Sequence, residues 1–176
     1  MMRKKPMLAY PVSDKPIDYD KPVFIQPKLD GVRCLIQYDA GKVTAYSRTG
    51  KEWKNIEHIK LNLLSFFDKH PNAILDGELY NHDFKDDFES IISMVRKTKP
   101  TEEDRVKSVD NVQFHCYDTI MEHMPYHDRA KFLISNLRDS YCVKFLPAWS
   151  VDSDERAKLY HQENLGAGYE LSLIHI

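Results

Sequence analysis

The chain has 176 residues, enough for one domain with a real core and short for two. Apolar residues make up 42% and charged residues 30%, and the nine prolines and six glycines are dispersed, which excludes a low-complexity chain and predicts a soluble globular one. The formal net charge is -2, so a nucleic-acid partner has to be held by a local basic patch rather than by bulk charge. No apolar run approaches a membrane span, and the N-terminal stretch lacks the apolar segment of a signal peptide, so no membrane association is expected. Cys34, Cys116 and Cys142 are odd in number and far apart, which predicts buried reduced thiols in a cytoplasm-like compartment rather than a disulfide framework or a zinc site.

In chain order, residues 1–21 read as an irregular, proline-punctuated lead-in. Strands are expected over 23–28 and 32–38, joined by a tight turn at Asp30-Gly31. A second turn at "DAGK" leads to a strand over 43–47, so the first three strands read as an antiparallel meander. Ile56, Ile59, Leu63, Phe66 and Phe67 fall at helical spacing, with Asn55 as a candidate N-cap. A strand over 73–80, a helix over 84–97, a strand over 112–119, a helix over 127–139, a short strand over 142–145 and a helix capped by Asp152 or Ser153 follow. The pattern predicts an α+β domain of antiparallel sheets with flanking helices.

The chemistry starts at "IQPKLDGVRC", where Lys28 interrupts a run that otherwise reads as buried strand. The plain reading is a surface lysine before a hairpin. The sharper one is a covalent nucleophile: an amine attacks only when unprotonated, and a nearby cation such as Arg33, or a bound metal, favours that form. Gly31 allows close backbone approach, and Asp30 can orient the amine or hold the turn. Three further stretches place polar groups among apolar strands. "LDGELYN" holds Asp76, Gly77 and Glu78; "YSRTGKEW" sets Arg48 before a Thr-Gly turn; "FHCYDTI" holds Tyr117 and Asp118. Separately, these read as solvent-facing acids, an exposed turn arginine and a core tyrosine, or as a tyrosine stacking on a base.

In this order, "KLDGVR", "SRTG", "DGELY" and "FHCYD" resemble motifs I, Ia, III and IIIa of the nucleotidyltransferase domain of ATP-dependent DNA ligases. The resemblance spans residues 5–170 and looks most like the small phage-type enzymes, because the lysine lies only 28 residues in. It implies a nucleotidyltransferase (ATP-grasp-like) fold. Lys28 would attack the α-phosphate of ATP and carry AMP to the 5′-phosphate of nicked double-stranded DNA, which the 3′-hydroxyl then seals in replication, repair or recombination. Mg²⁺ or Mn²⁺ would stabilise the α-phosphate.

The resemblance also assigns roles. Lys28, Asp30 and Arg33 form the catalytic set. Gln26, Lys28, Arg33, Glu78 and Tyr117 contact ATP. Gln26 would read the adenine edge, where the family often carries an acid, and Tyr117 would stack on adenine. Arg48 would grip the nick 5′-phosphate, where a forked donor fits well. Glu78 and Glu170 would hold metal, and the protein would act as a monomer. Lys51, Lys54, Arg96, Lys97, Lys99, Arg105 and Lys107 are candidate contacts to DNA phosphates, although "RKTKPTEEDR" reads equally as a solvated loop.

"NLGAGYE" approaches the family's motif IV, with Glu170 at the motif glutamate. The next residues, "LSLIHI", read as a translated transposase adapter of the kind used in sequencing libraries, or alternatively as a natural strand. On the first reading, residues 1–170 are an incomplete adenylation domain, 171–176 are a non-native tail, and the motif V lysines and oligonucleotide-binding barrel are missing. Weak ATP binding and no nick sealing by this chain are then expected. The rival readings are an RNA ligase or capping-type nucleotidyltransferase, a non-catalytic nucleic-acid-binding domain, and a histidine-based metalloenzyme. The dispersed histidines speak against the last.

Overall fold

The computed structural model describes residues 1–9, 11 and 16–175. Part of the expected lead-in, residues 10 and 12–15, and the last residue of the expected tail lie outside the described residues. In chain order the elements are β1 (Val23–Lys28), β2 (Val32–Asp39), β3 (Lys42–Tyr46), α1 (Glu57–Asn62), α2 (Leu64–Lys69) and β4 (Ile74–Tyr80). Then come a 3₁₀ turn (His82–Phe84), α3 (Phe88–Val95), α4 (Glu102–Asn111), β5 (Gln113–Thr119) and α5 (Tyr126–Asn136). The chain ends with β6 (Val143–Phe145), β7 (Trp149–Val151), α6 (Asp154–Gly166) and β8 (Leu171–His175). Two compact units result, one of residues 1–6 and 31–145, the other of 7–30 and 146–176. No helix among the described residues is long and apolar enough to cross a membrane.

The larger unit carries a five-stranded sheet in the order β3-β2-β4-β5-β6. Its pairs are antiparallel except β5 with β6, which run parallel. The β2–β3 hairpin closes over Ala40 (φ 49°) and Gly41 (φ 82°), the two positive φ values that a type I′ turn needs. Apolar side chains of β2, β4 and β5 (Ile36, Leu75, Leu79, Phe114) join Ile59, Leu63, Phe67, Ile91 and Leu133 in one core. Each such side chain contributes about 1.5–3 kcal/mol on burial. Cys34, Cys116 and Cys142 are free thiols inside the fold, as expected. Burial pushes the first two well above an ordinary thiol pKa.

Several expectations change. Strands β1 and β2 form no hairpin: they belong to different sheets, and the chain passes between units at Asp30-Gly31. Gly31 serves close packing instead, since a Cβ there would lie 2.5 Å from the Leu79 carbonyl oxygen and 2.6 Å from Glu78 Cγ. The helix after Asn55 is two helices sharing Leu63 as a boundary. Ile56 holds the N-cap position, while the Asn55 amide donates to the Met94 and Asp104 carbonyls. The helix over 84–97 shortens to α3, because the Asp87 carboxylate caps it by accepting from Ser90 N. The run 96–105, read either as a DNA contact or as a solvated loop, includes the first turn of α4, which a capping box between Thr101 and Asp104 starts.

The smaller unit has a three-stranded antiparallel sheet in the order β7-β1-β8. Its core is Val23, Ile25, Val151 and Ala157. Of the two expected caps, Asp152 and Ser153, it is Ser153 that caps α6, accepting from Arg156 N. Strand β8 lies in the run read as an adapter, and it pairs with β1 from Phe24↔His175 to Lys28↔Leu171.

Candidate functional site

In the smaller unit, Lys28 ends β1 with its side chain 37% exposed, and its amine donates to the Glu170 carboxylate. Register explains the pair: Lys28 faces Leu171, so the residue before β8 falls beside the amine. Asp30, expected either to orient the amine or to hold the turn, is exposed and has no side-chain hydrogen bond or ion pair among the described residues. Gln26 is fully buried. Its amide nitrogen donates to the Leu146 carbonyl at 2.7 Å, and its Oε1 is 3.1 Å from His175 Nε2.

In the larger unit, Arg33 stands opposite Glu78 across β2 and β4 and reaches diagonally to Asp76. Its Nε and one terminal nitrogen each donate to an Asp76 oxygen at 2.6 Å, the bidentate geometry that suits a planar guanidinium. Asp76 is 3% exposed. Burial raises its carboxyl pKa, and the Arg33 hydrogen bonds oppose that rise. Burial is the largest influence on the Arg33 charge and works against it, but the Asp76 hydrogen bonds together with the electrostatic attraction of Tyr117, Asp76 and Glu78 outweigh it and raise the guanidinium pKa.

Tyr117 completes this cluster through a backbone irregularity. Asp76 pairs with Asp118 and Gly77 with Cys116, so Tyr117 is the extra residue of a β-bulge. The bulge carries its hydroxyl to Glu78 Oε2 at 3.3 Å and its ring to 5.3 Å from the Arg33 guanidinium carbon. Burial raises the phenol pKa well above its ordinary value.

Arg48 is exposed in the turn after β3, where Gly50 (φ 85°) donates its N–H to the Ser47 carbonyl. Lys51, Lys54, Arg96, Lys97, Lys99, Arg105 and Lys107 are exposed as well. Within the basic cluster, however, Lys97, Arg105 and Lys107 pair with Asp104, Glu102 and Glu103, acids that open α4. The helix therefore neutralises part of the positive charge available to phosphates.

The sequence reading passed over Asp76 and Asp118 as site residues, although both stand in quoted motifs, and it missed Arg129. Arg129 donates to both Asp118 oxygens at 2.8 and 2.9 Å. Among the described residues, no group of three or more His, Cys, Asp or Glu side chains converges. Mg²⁺ needs no such cage, because one or two carboxylates with phosphate oxygens and water suffice. Glu78, half-buried and accepting one tyrosine bond, and Glu170, exposed beside an amine, are carboxylates of that kind.

The solved structures that resemble this chain share the nucleotidyltransferase fold of ligases. One named Pmar-Lig_Pre is 23% identical with a TM-score of 0.73, over 95% of this chain and 41% of its own. A Chlorella virus DNA ligase-adenylate is 20% identical with a TM-score of 0.69, over 97% of this chain and 58% of its own. At these identities the likeness establishes the fold. A family model, the ATP dependent DNA ligase domain, matches residues 6–170, and the chain belongs to that family. A DNA ligase of Archaeoglobus fulgidus is 25% identical over 160 residues, covering 83% of this chain and 27% of the relative. The chain thus spans about a quarter of that curated relative.

Proposed function

We propose that this chain is the adenylation domain of an ATP-dependent DNA ligase with Lys28 as nucleophile. The observation that carries the reading is Lys28 itself: a partly exposed amine at the end of β1, held on one carboxylate, inside a chain of this family. The unprotonated Nζ attacks the α-phosphorus of ATP in line. The N–P bond forms as the bond to pyrophosphate breaks, giving a lysyl-AMP phosphoramidate. The AMP then passes to the 5′-phosphate of nicked DNA, and attack by the 3′-hydroxyl expels AMP and seals the strand.

Positioning and charge neutralisation supply the catalysis. Glu78 holds the ribose hydroxyls, Tyr117 stacks on adenine once its buried ring is uncovered, Arg33 contacts the ribose or the nick terminus, and Arg48 grips the nick phosphate. Gln26 faces the adenine edge, which requires its amide to exchange its present partners. A divalent cation, held by Glu78 or Glu170, supplies charge neutralisation at the α-phosphate when bound. A monomer working in replication, repair or recombination fits this chemistry, and three buried free thiols fit a reducing, cytoplasmic setting.

Incubation with α-labelled ATP and MgCl₂ tests the reading. Expected is a small yield of labelled protein, acid-labile, and lost in Lys28→Ala. Label that survives this substitution would overturn the nucleophile assignment, and transfer to nicked RNA but not nicked DNA would favour an RNA ligase.

A further inference from the structure

Arg33 is one end of a row of four buried or half-buried charges. Asp76 on β4 and Asp118 on β5 are cross-strand partners, 3% and 5% exposed. Two carboxylates facing each other in a low-dielectric interior repel strongly unless each is neutralised. Arg33 neutralises the first from β2. Arg129, reaching back from α5 with its side chain 12% exposed, neutralises the second. Arg129 is fixed in turn: another of its nitrogens donates to the Met124 carbonyl at 2.6 Å, and its guanidinium carbon lies 5.6 Å from the Tyr126 ring centroid. The Asp118 carboxylate also accepts from Thr119 N at 2.8 Å. The bulge that aims Tyr117 adjoins this row, between the Asp76–Asp118 pair and the Gly77–Cys116 pair.

We propose that Arg129 and Asp118 are positioning residues for Arg33 and Tyr117. Arg129 cancels the Asp118 charge, which leaves Asp76 free to hold Arg33 in its two-bond grip over the Tyr117 ring. Without Arg129, Asp118 becomes an uncompensated charge next to Asp76. Arg33, already bonded to the neighbouring Asp76, then turns toward the space between both carboxylates and leaves the tyrosine. The consequence for adenylation rests on the role of Arg33 proposed above. The positioning itself does not, and it can be measured without any ligase activity.

The test is nitrogen-15 NMR of the Arg33 Nε–H signal, assigned by its loss in Arg33→Lys. Arg129→Gln removes the charge, and Arg129→Met does so too and serves if the first variant does not fold; Arg129→Lys keeps the charge without the fork. Arg105→Gln, which breaks an exposed ion pair elsewhere in the same unit, is the control. Expected is a displaced Arg33 signal whose proton exchanges with water roughly tenfold faster in the folded charge-free variant, with Arg129→Lys close to the parent and the control unchanged. An Arg33 signal of unaltered shift and exchange in a folded charge-free variant would overturn the proposal, as would the full displacement in Arg129→Lys or in Arg105→Gln.

Discussion

Arg33 grips Asp76 through two 2.6 Å hydrogen bonds, with the carboxylate almost wholly buried and the guanidinium a quarter exposed. Removing one member of such a pair leaves the other charge without compensation in a poor solvent. Asp76→Ala is expected to cost about 3–5 kcal/mol of stability, read from urea unfolding. Asp76→Asn keeps one acceptor and should cost less. A loss below about 1 kcal/mol in Asp76→Ala would mean that the pair behaves as an exposed one.

Lys28 and Glu170 form the opposite case, an ion pair with both side chains substantially exposed. Exposed pairs are worth about 0.2–1 kcal/mol, so breaking one changes the availability of the amine by at most roughly fivefold. Glu170→Gln should raise acylation of Lys28 by an amine-reactive ester within that range, quantified by peptide mass spectrometry against Lys51. Unchanged labelling would show that the carboxylate does not guard the amine.

Gly31 has no room for a side chain: a Cβ would press on the Leu79 carbonyl oxygen and on Glu78 Cγ. Backbone cannot yield cheaply, and Gly31→Ala is expected to destabilise the larger unit by about 1–3 kcal/mol. Gly41→Ala, which meets no atom within 4 Å, tests a different effect, the strain of its positive φ. Chemical denaturation of both variants separates crowding from strain. A Gly31→Ala protein as stable as the parent would remove the packing argument.

His115 carries the clearest pH signature. Burial lowers its pKa from 6.5 to about 4, with Lys144 adding to the fall. The unfolded chain therefore takes up this proton first as pH drops, and the folded state loses stability between about 6.5 and about 4. Above that window the imidazole is neutral in both states and contributes no slope. Thermal midpoints measured across it should fall less steeply in His115→Gln than in the parent. Parallel curves would show that the histidine titrates normally.

Much of the fold was legible in local pattern. Strands β2 to β5, the core positions Ile59, Leu63 and Phe67, and the Ser153 cap follow from period and capping chemistry. Helix α4 was also written in the sequence, as Thr101 three residues before Asp104, but the density of charge around it reads first as loop. The division of one helix at Leu63 was not visible, because the apolar spacing continues across the break.

The sequence by itself determined the chemistry on offer: a lysine before Asp-Gly, an arginine after it, and acids and a tyrosine set in apolar strands, in the order of one enzyme family. Tertiary structure alone decided how those groups are partnered. Strand β4 is buried on nearly every residue, so alternation cannot tell which acid meets Arg33. Register and a one-residue bulge at Tyr117 choose Asp76 and bring the phenol to Glu78. The separation of β1 from β2 into two sheets likewise has no local signal, since an Asp-Gly pair serves a hairpin and a crossing equally well. Pairing across strands is settled by which faces bury together, a property of the whole chain rather than of any stretch within it.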